Sequence, residues 1–126
     1  MSKKDGSAVL QEVICNTLSD FDLYDEVPET APMPYLRIGE SSVESFDSSL
    51  CFSDFISIQI DAFSNYKGFK EIKELISDVK SVISEIDEKL KGFSIRFLRF
   101  DSINFERGED CREATITATF LVSQED

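Results

Sequence analysis

At 126 residues, with 41% hydrophobic content and eleven phenylalanines, the chain is long enough to bury one core without metals or disulfides. Its formal net charge of −12 argues against affinity for nucleic-acid phosphate or anionic membranes, and no apolar run approaches the roughly 18–20 residues of a membrane span. It contains no histidine, so the commonest general base, metal ligand and partner of a nucleophilic Ser or Cys are missing, which argues against an enzyme.

The N-terminus (Met1, Ser2, Lys3, Lys4, Asp5) lacks the apolar core of a signal peptide, so a soluble protein made in a cytoplasm is expected. Residues 1–6 are expected to be flexible. Ser7 to Leu18 then reads as a short helix, with Ser7 as its cap and Val9, Leu10, Val13, Ile14 and Leu18 on one side. The acidic segment that follows carries Phe21, Leu23, Tyr24 and Val27, spaced as a short strand or extended arm. Pro28, Pro32 and Pro34 make the next stretch a stiff, non-helical connector, because proline fixes φ and holds the residue before it extended.

Tyr35 to Glu40 reads as a strand, with Leu36 and Ile38 on one face. Ser41 to Cys51 is serine-rich and free of glycine, with Val43, Phe46 and Leu50 embedded in it. It reads as a long loop or extended β arm whose hydrophobes need burial, and another subunit could supply it. Phe52 to Phe63 is the clearest strand: Ile56, Ile58, Ile60 and Ala62 alternate with Ser57, Gln59, Asp61 and Phe63.

Between Gly68 and Gly92, apolar residues recur from Phe69 to Leu90 at steps of three and four. This predicts one amphipathic helix of about six turns, ended by Gly92 in a left-handed cap. Phe93 to Phe105 is a second long strand in which the apolar phase switches twice, as two-sided burial or a bulge would produce. Glu106 to Asp110 is a hairpin turn. Arg112 to Val122 closes the chain, with Thr115, Thr117 and Thr119 outward.

The sum is one α+β domain spanning 1–126. It is a mainly antiparallel β-sheet with a short N-terminal helix and one long amphipathic helix packed on one face.

The charge is uneven: Asp5 to Phe63 holds twelve acidic residues against Arg37 alone, whereas Lys67 to Lys91 is neutral. The odd, widely separated Cys15, Cys51 and Cys111 read as reduced structural thiols, suited neither to a disulfide framework nor to a zinc site. The carboxylate pairs Asp20/Asp22, Asp25/Glu26 and Glu109/Asp110 match no calcium loop or glycosidase spacing, and Gly39 and Gly108 have no phosphate-cradling series around them. No catalytic, metal or cofactor residue is assigned. Arg96 and Arg99, set among Phe97, Leu98 and Phe100, read as partners of nearby acids rather than as an RNA-binding surface. The candidate interface residues are therefore Val43, Phe46, Leu50, Phe52, Arg96, Arg99, Thr115, Thr117 and Thr119.

The layout as a whole carries a resemblance. A short helix and acidic arm lead into Val27-Pro28, then Ala31-Pro32-Met33-Pro34-Tyr35 runs into a strand ending Ile38-Gly39-Glu40. A variable arm follows, then a strand ending Phe63-Ser64, the amphipathic helix, an arginine-containing strand and a Thr-rich strand. From about Val9 to Val122 this resembles the small tail-completion proteins of long-tailed bacteriophages, the head–tail joining and tail-terminator family. The resemblance implies a virion protein of the tail neck, assembled in the host cytoplasm as a homo-oligomeric ring, usually a hexamer. Such a ring caps the tail tube protein, ends polymerisation, meets the head–tail connector protein and lets DNA pass without specific binding. It brings no catalytic residue, no cofactor and no membrane. Two readings of other classes compete with it: an acidic DNA mimic that blocks a nucleic-acid-binding partner, motivated by the Asp5 to Phe63 excess, and a small carboxylate enzyme.

Overall fold

The structure, a computed structural model, describes residues 4–47 and 52–125, apart from the side chains at 46, 47 and 52. Along it run α1 (Ser7–Thr17), β1 (Leu23–Tyr24), β2 (Tyr35–Asp47), β3 (Phe52–Ser64), α2 (Lys70–Ile83), β4 (Asp87–Leu90), β5 (Phe93–Arg107) and β6 (Arg112–Gln124). The strands form one sheet in the order β1-β2-β3-β6-β5-β4. Among the described residues only the β1–β2 pairing is parallel, so the sheet is mixed, and it curves into a half-barrel.

Alternation on the strands decides which face is covered. Ile56, Ile58, Ile60 and Ala62 of β3 lie opposite Phe120, Ala118, Ile116 and Ala114 of β6, and all eight are buried. The helices close this face. Leu10, Val13 and Ile14 of α1 and Ile72, Ile76, Val79 and Ile83 of α2 join the same core. Burying each such aliphatic side chain contributes on the order of 1.5–3 kcal/mol, offset by the entropy of ordering the chain. The charges at the ends of α2 also suit its dipole, with Glu71 in the first turn and Lys80 in the last.

The expected long helix is not there. α2 ends at Ile83, and the stretch read as its second half holds a tight turn and then strand β4. The apolar stripe misled because Ile86 and Leu90 stand four residues apart. That spacing is about one helical turn, yet it is also two full periods of a strand. Both residues still pack on the core, Ile86 from the connection just before β4 and Leu90 from β4 itself. The second misleading sign was Gly92. It has φ 85° beside Lys91 at φ 50°, and Leu90 pairs with Phe93 across them. Two successive left-handed residues between antiparallel strands make a two-residue hairpin turn of type I′, so Gly92 joins β4 to β5 and caps no helix. The protein is α+β in outline, but it is a sheet with two short helices.

In β5 the two phase switches are two bulges. The register shifts between Phe97 and Arg99 and again between Phe100 and Ser102, leaving Leu98 and Asp101 as extra residues. Each extra residue restores the phase, so Ile95, Phe97, Phe100, Ile103 and Phe105 all reach the helix-covered face. A third shift, between Ile38 and Ser41 of β2, falls at Gly39. A Cβ there would stand 3.0 Å from the Gln59 carbonyl oxygen, so the bulge takes glycine.

The 41–51 arm is β strand as far as Asp47, paired with β3 along its length. Cys51 and Leu50 fall outside the described residues, as do the side chains of Phe46 and Phe52. Before α1, the Lys4 N–H donates to Gln124 Oε1 at 2.9 Å, and a Cβ on Gly6 would meet Val122 at 2.6 Å. Ser7 starts α1 but does not cap it; instead its N–H and hydroxyl both donate to Asp5 Oδ1, at 3.0 and 2.6 Å.

Candidate functional site on the polar sheet face

The second face of the sheet faces away from both helices, and short polar side chains cover most of it. Pairing across strands sets them side by side: Ser53, Ser57, Gln59 and Asp61 of β3 stand opposite Ser123, Thr119, Thr117 and Thr115 of β6. On the next strand Arg99 lies opposite Thr119 and Ser102 opposite Thr117.

Two hydrogen-bonded clusters organise this face. In the first, Thr119 Oγ1 donates to Asp101 Oδ2 at 2.5 Å, which leaves Ser57 Oγ as donor to Thr119 at 2.9 Å. Arg99 Nε closes the chain on Asp101 Oδ1 at 2.9 Å. The bulge at Asp101 puts this carboxylate within reach of both. Thr119 is only 1% exposed as a result.

In the second cluster, Asp61 is 5% exposed and fully engaged. Its Oδ1 accepts from Gln59 Nε2 at 2.8 Å and from Thr115 at 3.3 Å, and its Oδ2 accepts from Arg37 Nε and Nη2 at 3.1 and 2.8 Å. The Arg37 guanidinium also lies 4.9 Å over the Phe63 ring, which continues through Tyr35 to Tyr24 at centroid distances of 5.1 and 5.8 Å. Arginine has the planar geometry to do both at once.

Between the clusters runs a trough of three adjoining hollows of about 240, 210 and 270 Å³. Ser42 and Ser57 line the first and second, and Gln59 lines the second and third, so each hollow adjoins the next. The hydroxyls of Ser57, Thr115 and Thr119 pass their protons to each other or to carboxylates that already hold an arginine, an arrangement that does not activate them as nucleophiles. It offers donors and acceptors to a polar surface.

Of the sequence candidates, the sheet brings Arg99, Thr115, Thr117 and Thr119 together here. Arg96 lies further along the same face, opposite Leu121 and beside the β4 edge at Asp87. Val43 is not part of it: it pairs with Ile56, on the helix-covered face, and is 42% exposed beyond the helices. Sequence reasoning did not select Arg37, Ser57, Gln59, Asp61 or Asp101. The first four stand at outward positions of strands it did recognise, whereas Asp101 arrives only through a bulge. Cys15 and Cys111 lie elsewhere as free thiols. Burial raises the pKa of each, aided by Asp25 at Cys15 and by Glu113 and Asp110 at Cys111, where Arg112 partly opposes.

A half-barrel closed by helices on one side, with a hydrogen-bonded polar face on the other, defines a small α+β module. Residues 7–123 match the family described as tail completion protein gp17, and the chain belongs to that family. It is a structural protein of the bacteriophage tail. A chain in the solved virion of a native gene transfer agent (GTA) particle has a similar fold, with TM-score 0.66 and 19% identity over 88% of this chain and 84% of that one. No curated protein matches the sequence.

Proposed function

We propose that the protein assembles as a homo-oligomeric ring, a hexamer, that caps the tail tube, stops its polymerisation and joins it to the head connector in the neck of the virion. One observation carries this reading: in a tail-completion chain, a mostly polar, hydrogen-bonded sheet face is left uncovered by the chain's own helices. A face of short Ser, Thr and Gln side chains gives a partner close approach with few ordering costs, as a contact surface requires. The reading assigns Arg96, Arg99, Thr115, Thr117 and Thr119 to this contact face and Val43 to a contact on the helix side, with Phe46, Leu50 and Phe52 as candidates from sequence. It assigns no catalysis and no cofactor. The net charge of −12 supports passage of DNA without binding, since like charge repels phosphate.

Light scattering coupled to size exclusion, with negative-stain images of the protein mixed with tail tubes, tests the proposal. Six-membered rings seated at tube ends are expected. A strict monomer at high concentration that leaves tube ends bare would overturn it.

A further inference from the structure

Four cations of this acidic chain form a row. Lys73 and Lys80 stand two turns apart on α2, on one stripe, above the β5 side of the sheet. Lys80 Nζ lies 5.3 Å from the Phe100 ring centre, and Lys73 Nζ lies 5.4 Å from Phe105 and 5.9 Å from Phe69. Arg107 and Arg112 complete the row, with guanidinium carbons 5.0 and 5.4 Å from the same Phe69 ring. These two arginines are direct cross-strand partners at the end of the β5–β6 hairpin. Like charges so placed repel, and the carboxylate of Glu71 on α2 accepts from Ser64 Oγ, the cross-strand neighbour of Arg112, at 2.5 Å. Glu74, Asp78, Glu106, Glu109, Asp110 and Glu113 are close in sequence, but among the described residues none forms an ion pair with any member of the row. Three cations thus converge on one aromatic ring, and among the described residues none of them is in an ion pair.

The row also lies along an open edge. β4 covers β5 only from Phe93 to Arg96, so β5 beyond Phe97 is the outermost strand on that side. The opposite edge is β2, which β1 covers only at Leu36 and Arg37. There the exposed Glu40 and Glu44 stand in the stretch from Asp5 to Phe63, whose single basic residue, Arg37, is already bound to Asp61. A row of cations therefore lies along one edge of the sheet, and exposed carboxylates lie along the other.

We infer that the cation–aromatic row on the α2/β5 edge docks the acidic β2 edge of a second copy of this chain. This inference rests on the ring reading above and specifies how its subunits meet. Contact between two different patches is heterologous, the kind that closes into rings, and arginine and lysine over aromatic faces are held ready for carboxylates. A second copy is favoured over DNA because the chain supplies its own surplus of carboxylates, while its total charge repels phosphate at longer range.

A charge exchange tests this on the full chain. Lys73→Glu with Arg107→Glu makes both edges acidic, and Glu40→Lys with Glu44→Lys makes both basic. Each double variant is expected to elute as protomer at concentrations where the wild type is a ring. Their equimolar mixture should regain the ring, because alternating copies restore both contacts. Raising salt from about 0.1 to 0.5 M should weaken the wild-type ring at least tenfold. Circular dichroism and thermal midpoints check folding, and Lys73→Glu with Lys80→Glu, both at exposed positions, stands in if the arginine variant unfolds. Rings that persist in both variants, or a mixture that stays monomeric, overturn the inference while leaving the ring reading intact. A monomeric wild type removes both. Duplex DNA bound by the wild type and released by Lys73→Glu/Arg107→Glu, with rings unchanged, would assign the row to nucleic acid instead.

Discussion

Asp5 shows how much one exposed carboxylate can organise. It accepts both the N–H and the hydroxyl of Ser7, and these bonds lower its pKa below the ordinary 3.8, against a small opposing effect of burial. A carboxylate whose pKa is depressed by folding stabilises the fold above its unfolded value, and that contribution is lost as pH falls through the lower folded value. Asp5→Ala should therefore cost on the order of 0.5–1 kcal/mol at neutral pH, the lower part of the range for helix-capping groups because the site is exposed. Thermal melts of the two proteins should differ by a constant amount above about pH 4.5 and converge in stronger acid. Asp61 is a different case. It is buried, and Arg37→Ala would leave its carboxylate with only Gln59 and Thr115 as donors, so a loss of about 1.5–2 kcal/mol in urea unfolding is expected. The raised pKa of Cys15 and Cys111 predicts slow alkylation by iodoacetamide at pH 7, slower than for a free thiol peptide and rising only in more alkaline solution.

At the scale of elements, the long strands were legible, whereas the end of the central helix and the short strand β4 after it were not. Ile56, Ile58, Ile60 and Ala62 alternate without interruption, so nothing competed with a strand there. From Ile83 to Gly92 two patterns fitted the same residues, since a spacing of four serves a helix and a strand alike. The choice was made by β5, which is distant in spacing rules but adjacent in space: its residues Phe93 to Arg96 hold β4 as a strand. The two bulges of β5 were readable as a change of phase, but their consequence was not, because only pairing with β6 shows that they return five apolar residues to one face. The turn offers a direct check. A Cβ at Gly92 would meet nothing within 4 Å, so any cost of Gly92→Ala comes from its φ of 85° alone. The expected destabilisation is about 1 kcal/mol, measured by denaturant midpoint. Had Gly92 ended a helix instead, substitution would shorten the helix signal in circular dichroism. Here that signal should stay constant.

For the whole molecule, neighbouring residues on β6 separate stability from assembly. The candidate face was half visible in sequence: Thr115, Thr117 and Thr119 alternate with core residues, so their exposure to one side followed from the period of the strand. What they meet did not follow, because Ser57 is 62 residues from Thr119 and only the register of β3 on β6 joins them. Phe120, one residue from Thr119, points the other way, is fully buried and contacts Phe97 edge-on at 5.8 Å. Phe120→Ala should cost about 3–5 kcal/mol and lower the melting temperature steeply, whatever the protein binds. Thr117→Arg should do the reverse. Thr117 lines the trough between Ser57 and Gln59, where a long cation has open space, so the protomer should keep its melting temperature to within about 0.5 kcal/mol of stability. If the polar face is the contact face, the same cation must be desolvated at every copy of the interface. Ring formation or seating on tube ends should then fail in a folded protein. A Thr117→Arg protein that assembles and caps tubes as the wild type does would remove this face from the interface and leave the two charged sheet edges to hold the assembly alone.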